Sequence, residues 1–257
     1  MKYNQNIKIM QITDKTLVIG VNSQLGGHSP LLVFEDANFE KAVKDGVKRS
    51  FRNMGQICNA VNRIYVHKNI FDSYVKAFVE ETAKMTIGDG LANPDVDLGP
   101  MVDRSGIETA VEHIRDAVEK GAIVKCGGKR PDRPELANGN FFEPTVLVNV
   151  TSDMKIMREE TFGPVVAIDT FGTIGEAVEK ANSTRYGLVS YVYTRNLNTA
   201  FIVSEAIDSG SVAVNTVGPD SIYAPYGGRK DSGFGVELSK HGMDQYFQFK
   251  HVKIELE

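Results

Sequence analysis

The apolar positions of this chain recur with two alternating periods. Pro30-Leu31-Leu32-Val33-Phe34 is a short continuous apolar run, the pattern of a buried strand. After it, Phe39, Ala42, Val43, Val47 and Phe51 recur at i, i+3, i+4, i+8 and i+12, which is one face of a helix. Asp36 or Asn38 stands where a side-chain oxygen can accept N–H groups of the first turn. The pattern then repeats. Residues 63–66 form a second strand run, and Phe71, Tyr74, Val75, Phe78 and Val79 mark a second helical face. A Gly/Pro/Asp-rich loop at 88–100 leads to a third helix on Ile107, Val111, Ile114 and Val118, ending at Gly121. Further strands are expected at 122–125, 144–148, 165–171, 188–193 and 211–215, with helices around 177–181 and 200–207.

Such alternation predicts an α/β fold, a mostly parallel sheet covered by helices. Ligands of open α/β sheets collect at the carboxyl ends of the strands, where Asn215 is expected to emerge. The last segment, 245–257, alternates enough to be a strand with nothing after it to cover its edge. An uncovered strand invites a second chain to pair with it, so a homo-oligomer is expected. The alternative is that this strand returns to an edge of its own sheet.

Composition narrows the function classes. With 257 residues and 42% hydrophobic content the chain can bury a substantial core. A formal charge of −4 with interspersed signs gives no basic stripe for nucleic acid. No apolar run approaches the ~20 residues of a membrane-spanning helix, and residues 1–23 do not read as a secretory leader, so a cytoplasmic location is expected. The five histidines, His28, His67, His113, His241 and His251, lack ligand-like spacing, so no metal site is expected. His28 reads as a surface or turn residue.

Two cysteines do not make a disulfide framework, which leaves each as a free thiol. Cys126 ends an apolar run at Gly127-Gly128 and reads as strand core. Cys58, in Gly55-Gln56-Ile57-Cys58, comes after the first helix on a turn, with Arg52 and Arg63 nearby in sequence. A thiol of ordinary pKa is only slightly ionised at neutral pH, so a working nucleophile needs a base, a helix terminus or positive charge beside it. The competing reading is a buried cysteine acting as a small hydrophobe.

Three further segments change that balance. They are Arg158-Glu159-Glu160-Thr161-Phe162-Gly163-Pro164, Pro225-Tyr226-Gly227-Gly228-Arg229-Lys230-Asp231-Ser232-Gly233-Phe234-Gly235 and Phe142-Glu143-Pro144-Thr145. With Gln24-Leu25-Gly26-Gly27 and the Cys58 motif, their order and spacing resemble the aldehyde dehydrogenase superfamily from about Gln24 to the C-terminus. The resemblance implies that Cys58 is the nucleophile that attacks an aldehyde carbon, passes hydride to NAD or NADP and leaves a thioester for water. It implies that the Cys58 N–H is an oxyanion-hole donor. Glu160 is implied to hold the nicotinamide ribose, with Phe162 beside it, and Leu25 and Gly26 are implied to line the cofactor side. Asn215 is implied to lie near the active site. The C-terminal strand is implied to cross to a neighbouring subunit.

Two departures qualify this. Gln24 stands where the family pattern has a glutamate, so the general base is replaced by an amide without useful basicity. A second family carboxylate falls on Lys240. A cofactor-binding domain is expected to be missing from the chain, which reads as a single catalytic domain over 1–257 with an atypical segment at 1–23. Two partnerships then fit, a homo-oligomer or a separate chain carrying the cofactor domain. The expected activity is oxidation of a small aldehyde, weak or absent in the isolated chain. The alternatives are a non-catalytic paralogue or truncated product, or a cofactor-free cysteine esterase.

Overall fold

The computed structural model describes residues 23–256. The atypical segment at 1–23 therefore lies, apart from Ser23, outside the described residues. In chain order the elements are β1 (Ser23–Gln24), β2 (Ser29–Val33), α1 (Phe39–Phe51), β3 (Val61–His67), α2 (Phe71–Thr82), α3 (Arg104–Glu119), β4 (Ile123–Cys126), β5 (Thr145–Val148) and α4 (Lys155–Arg158). They continue with β6 (Val165–Phe171), α5 (Ile174–Asn182), β7 (Tyr186–Gly187), β8 (Val189–Tyr193), α6 (Leu197–Ala206), β9 (Ser211–Val214), β10 (Arg229–Lys230), β11 (Gly233–Phe234) and α7 (Ser239–Asp244).

The main sheet runs β4-β5-β6-β3-β2-β8-β9, parallel throughout except where β4 pairs antiparallel with β5. Its central strands are the apolar runs of the sequence. Every residue of β2 and β8 is buried, because helices cover both faces of a parallel sheet. Each such aliphatic side chain contributes about 1.5–3 kcal/mol when fully buried. The α/β class and the mostly parallel sheet are thus as the periodicity predicts.

Helix α1 illustrates how sequence sets the local structure. Asn38 Oδ1 accepts the Lys41 N–H at the first turn, and Ala42, Val43, Val47 and Phe51 face the core. Asp36, the other candidate cap, instead receives the Thr194 hydroxyl and the Arg195 N–H, tying the end of β2 to the end of β8. The helix stops where Asn53 and Met54 take left-handed backbone angles, φ +53° and +59°.

The C-terminal segment does not return to an edge of the chain's own sheet. After α7 no strand forms over 245–256 in this chain, and Tyr246, Phe247, Phe249, Val252, Ile254 and Leu256 are exposed. A two-residue alternation gives a strand only where backbone partners exist, and here no edge of the chain's own sheet is used. Among the described residues no helix is long and apolar enough to cross a membrane.

Candidate active site

Parallel pairing of β2 with β3 requires α1 to carry the chain back along the sheet. The turn that leaves α1 therefore lies at the amino end of β3. Cys58 is there, and so are Gly26-Gly27 ahead of β2, Glu160-Thr161-Phe162 ahead of β6 and β7 ahead of β8. The loops gather at the amino ends of the strands, which corrects the expectation of a site at the carboxyl ends.

Two glycines allow these loops to touch. A Cβ on Gly27 would sit 1.9 Å from the Cys58 carbonyl oxygen, a distance only a hydrogen atom tolerates. Gly26, at φ +137°, has the Glu160 carboxylate 2.8 Å from where its Cβ would be. The Gly27 N–H donates to Glu160 Oε1 at 2.9 Å. A single glycine strap thus separates the thiol loop from a half-buried carboxylate. Phe162, at φ +49°, lies in the same turn as Glu160 with 44% of its surface exposed.

Gln24 lies in β1, paired with Gly233 of β11, and its side chain is exposed. Leu25 is likewise partly exposed, with its N–H on the Ser232 carbonyl. Lys240 is exposed on α7. Among the described residues, Glu160 is the carboxylate that acts on Cys58.

Its effect is unfavourable for ionisation. Burial pushes the Cys58 thiol above its ordinary pKa, and the Glu160 charge pushes it further. A backbone hydrogen bond at Cys58, the nearby Tyr226 hydroxyl and the positive charge of Arg49 oppose that rise. Burial also raises the Glu160 carboxyl, against the Gly27 N–H and Arg185, which favour its charged form.

The cation near the thiol is Arg49, and this corrects the choice of Arg52 and Arg63. Arg52 is exposed, whereas Arg63 is buried and donates to the carbonyls of His28, Lys180 and Ala181. Arg49 Nε donates to the Tyr191 hydroxyl at 2.9 Å and to the Asn59 carbonyl at 3.2 Å. The Tyr191 hydroxyl donates to that same carbonyl, and burial pushes its pKa up to about 12. Nothing in the sequence marked Arg49, because a basic residue in the last turn of a helix is ordinary pairing with the helix dipole. Tyr226 was visible only as part of a glycine turn.

Three other residues belong elsewhere. His28, expected at the surface, is buried, with Nε2 on the Ile156 carbonyl and Nδ1 without a partner. It immediately precedes β2, which is buried along its whole length, and that decides its environment. Asn215 does emerge at a carboxyl end, that of β9, but this is the far edge of the sheet from Cys58. Its side-chain amide is committed to Thr194, accepting from the N–H at 3.1 Å and donating to the carbonyl at 2.8 Å. The length of β2 separates it from the thiol, on the order of 15 Å. Cys126 ends β4 half-buried, and burial raises its thiol as well.

The sequence model of the aldehyde dehydrogenase family matches residues 5–252. The chain belongs to that family. It is 42% identical over 236 residues to the NADP-dependent succinate-semialdehyde dehydrogenase of Escherichia coli, covering 92% of this chain and 48% of that one. It is 40% identical to the glutarate-semialdehyde dehydrogenase of Pseudomonas putida, with 92% and 48% covered. Among solved structures, the betaine aldehyde dehydrogenase of Staphylococcus aureus in complex with NAD+ superposes with a TM-score of 0.84 at 38% identity, over 87% of this chain and 44% of that chain. An Escherichia coli NADP-dependent enzyme gives 0.86 at 42% identity, over 91% and 47%. The chain spans about half the length of the curated relatives it matches.

Proposed function

We propose that this chain carries the thiol chemistry of an aldehyde dehydrogenase, with Cys58 as the nucleophile toward a small aldehyde. The observation that carries this reading is the packing of Cys58, Gly26-Gly27 and Glu160 into one cluster at the amino edge of the sheet. In the proposed reaction the Cys58 sulfur bonds to the aldehyde carbon to give a thiohemiacetal. Loss of hydride from that carbon leaves a thioester, and water then releases the carboxylic acid and restores the thiol. The Cys58 N–H is the proposed donor to the developing oxyanion, since preorganised donors act where charge appears.

The residues present suit a nicotinamide dinucleotide. A carboxylate accepts hydrogen bonds and donates none, which matches the hydroxyls of a ribose. Glu160 keeps acceptor capacity beyond the one bond from Gly27, and Phe162 offers an exposed ring in the same turn. When bound, NAD or NADP would accept the hydride. Leu25 and Gly26 are proposed to line the same side. The Escherichia coli and Pseudomonas putida relatives act on semialdehydes, and an aldehyde bearing a carboxylate is the substrate class to try first.

The chain on its own is expected to turn over slowly. Gln24 supplies no base, the Cys58 thiol is raised, and general-base assistance commonly contributes ~10²–10⁴-fold. Partnership with a second copy or with a chain carrying a cofactor domain is proposed to complete the site. The test is to incubate the full chain with succinate semialdehyde and NAD or NADP and to search the Cys58 peptide for a thioester by mass spectrometry. An aldehyde-dependent adduct on Cys58 that Cys58→Ala abolishes supports the reading; adducts confined to other residues overturn it.

A further inference from the structure

The carboxylate proposed for the ribose stands on a segment that its own secondary structure does not secure. Helix α4 is four residues long, and Phe162, two residues past Glu160, has φ +49°, a left-handed backbone unfavourable to any residue with a Cβ. Helix α3 supplies holds from one face, where His113 and Asp116 are neighbours at i and i+3. Asp116 Oδ2 accepts the Lys155 N–H at 2.8 Å, and His113 Nδ1 lies 3.0 Å from the Thr161 hydroxyl. The two contacts bracket Glu160 in sequence. Gly27 holds the carboxylate itself, through its 2.9 Å bond to Oε1.

His113 is buried, and the thiol chemistry leaves it without a role. Its Nε2 faces the Glu159 carboxylate at 3.6 Å. A carboxylate accepts and cannot donate, so the proton of the neutral ring belongs on Nε2, and Nδ1 accepts from the Thr161 hydroxyl. Burial holds the ring below its ordinary pKa, against the charges of Glu159, Glu112 and Asp116 and together with that of Lys155. The ring therefore stays an acceptor toward Thr161 at neutral pH. On the other side of the segment, His28 Nε2 reaches the Ile156 carbonyl at 3.0 Å, and Gly55 of the thiol loop lies against the Gly163 carbonyl.

We propose that His113 is a positioning residue, whose bond to Thr161 holds the Glu160 carboxylate on the Gly27 N–H in the geometry that a ribose would meet. This rests on the reading of Glu160 as the cofactor acceptor. Thr161 follows Glu160 directly, so a turn released at Thr161 is free to rotate the peptide that carries the carboxylate. Thr161 and His113 are both buried, and a satisfied buried contact of this kind holds a single geometry. His113 takes no part in proton transfer or bond formation. It acts through the turn, and by it α3 reaches the site without touching substrate or cofactor.

The test is amide hydrogen exchange at Gly27, followed by NMR in the full chain at fixed pH, because that N–H reports the Glu160 bond directly. It needs neither aldehyde nor cofactor. His113→Leu removes the ring nitrogens, and Thr161→Val removes the hydroxyl at nearly constant shape. Each is expected to speed exchange at Gly27 by roughly tenfold while the amides of β2 and β3 keep their rates, since a local opening alone is released. His113→Asn returns a polar atom near the Nδ1 position and is expected to restore most of the protection. A Gly27 rate that is unchanged, or that rises only in step with β2 and β3, overturns the proposal; the second result would make His113 an ordinary packing residue. If His113→Leu fails to fold, Thr161→Val decides by the same two outcomes. Calorimetry with NAD and NADP tests the underlying reading separately. Equal affinity in wild type and Glu160→Gln overturns Glu160 as the ribose acceptor, while Gly27 exchange still decides whether His113 holds that carboxylate.

Discussion

Gly27 touches Cys58 and Glu160 at once: its N–H donates to Glu160 Oε1 at 2.9 Å, while its α-carbon faces the Cys58 carbonyl with no room for a side chain. The carboxylate and the Cys58 backbone are therefore both held against one residue. Their separation is set by backbone, which is stiffer than any pair of side chains.

Gly27→Ala is expected to damage the site more than the fold. The new methyl group meets a backbone oxygen, which has no rotamer to escape into, so the Cys58 loop or the glycine turn must shift. A loss of stability of about 1–3 kcal/mol by urea unfolding is expected. Alkylation of Cys58 should change rate together with it. An alanine variant with wild-type stability and unaltered Cys58 reactivity contradicts the close approach.

Glu160→Gln removes the charge that raises the thiol and keeps the side-chain shape. Cys58 should become more reactive at neutral pH, with its alkylation midpoint displaced downward. The same change weakens the acceptor proposed for a ribose hydroxyl, so binding of NAD or NADP measured by calorimetry should fall. A variant less reactive at Cys58 than wild type would mean that Glu160 assists ionisation.

Acid should destabilise the protein through His28. Burial, and then the Arg63 charge, hold its pKa well below the ordinary value of 6.5, so the folded state keeps the ring neutral. A depressed folded pKa gives stability that is fully present above pH 6.5 and is lost as pH falls through and below it, because the unfolded chain binds the proton first. His113, lowered mainly by burial, adds in the same direction. Urea midpoints measured from about pH 8 to about pH 5 should decline, and more shallowly in His28→Gln than in wild type. Equal slopes in the two proteins would remove His28 as the cause.

Asn215→Ala separates the two ends of the sheet. The amide bridges both backbone groups of Thr194, and the residue has φ +55°, where alanine is strained. A destabilisation of about 1–2 kcal/mol is expected. Cys58 alkylation should be unaffected. Altered thiol reactivity in a folded Asn215→Ala protein would tie Asn215 to the site after all.

The strands and helices were legible because each has a period of its own. The run 30–34 and the spacing of Phe39, Ala42, Val43, Val47 and Phe51 state a buried strand and a one-sided helix without reference to the rest of the chain. For residues 245–256 alternation describes a strand's two faces, but backbone partners decide whether a ladder forms, and the chain's own sheet supplies none. Cys58, Glu160 and the glycine turn were found through their residue types and order.

By itself, then, the sequence determined the α/β class, the bounds of the longer strands and helices to within a few residues and the membership of Cys58, Gly26, Gly27 and Glu160 in one motif set. Tertiary structure decided which end of the sheet they occupy, because a helix between parallel strands returns the chain to the amino edge. It also decided that Asn215 lies at the opposite edge, that His28 is buried and that Arg49 is the cation beside the thiol. These are distances between residues far apart in the chain, and local pattern carries no information about them until the sheet order brings the loops together.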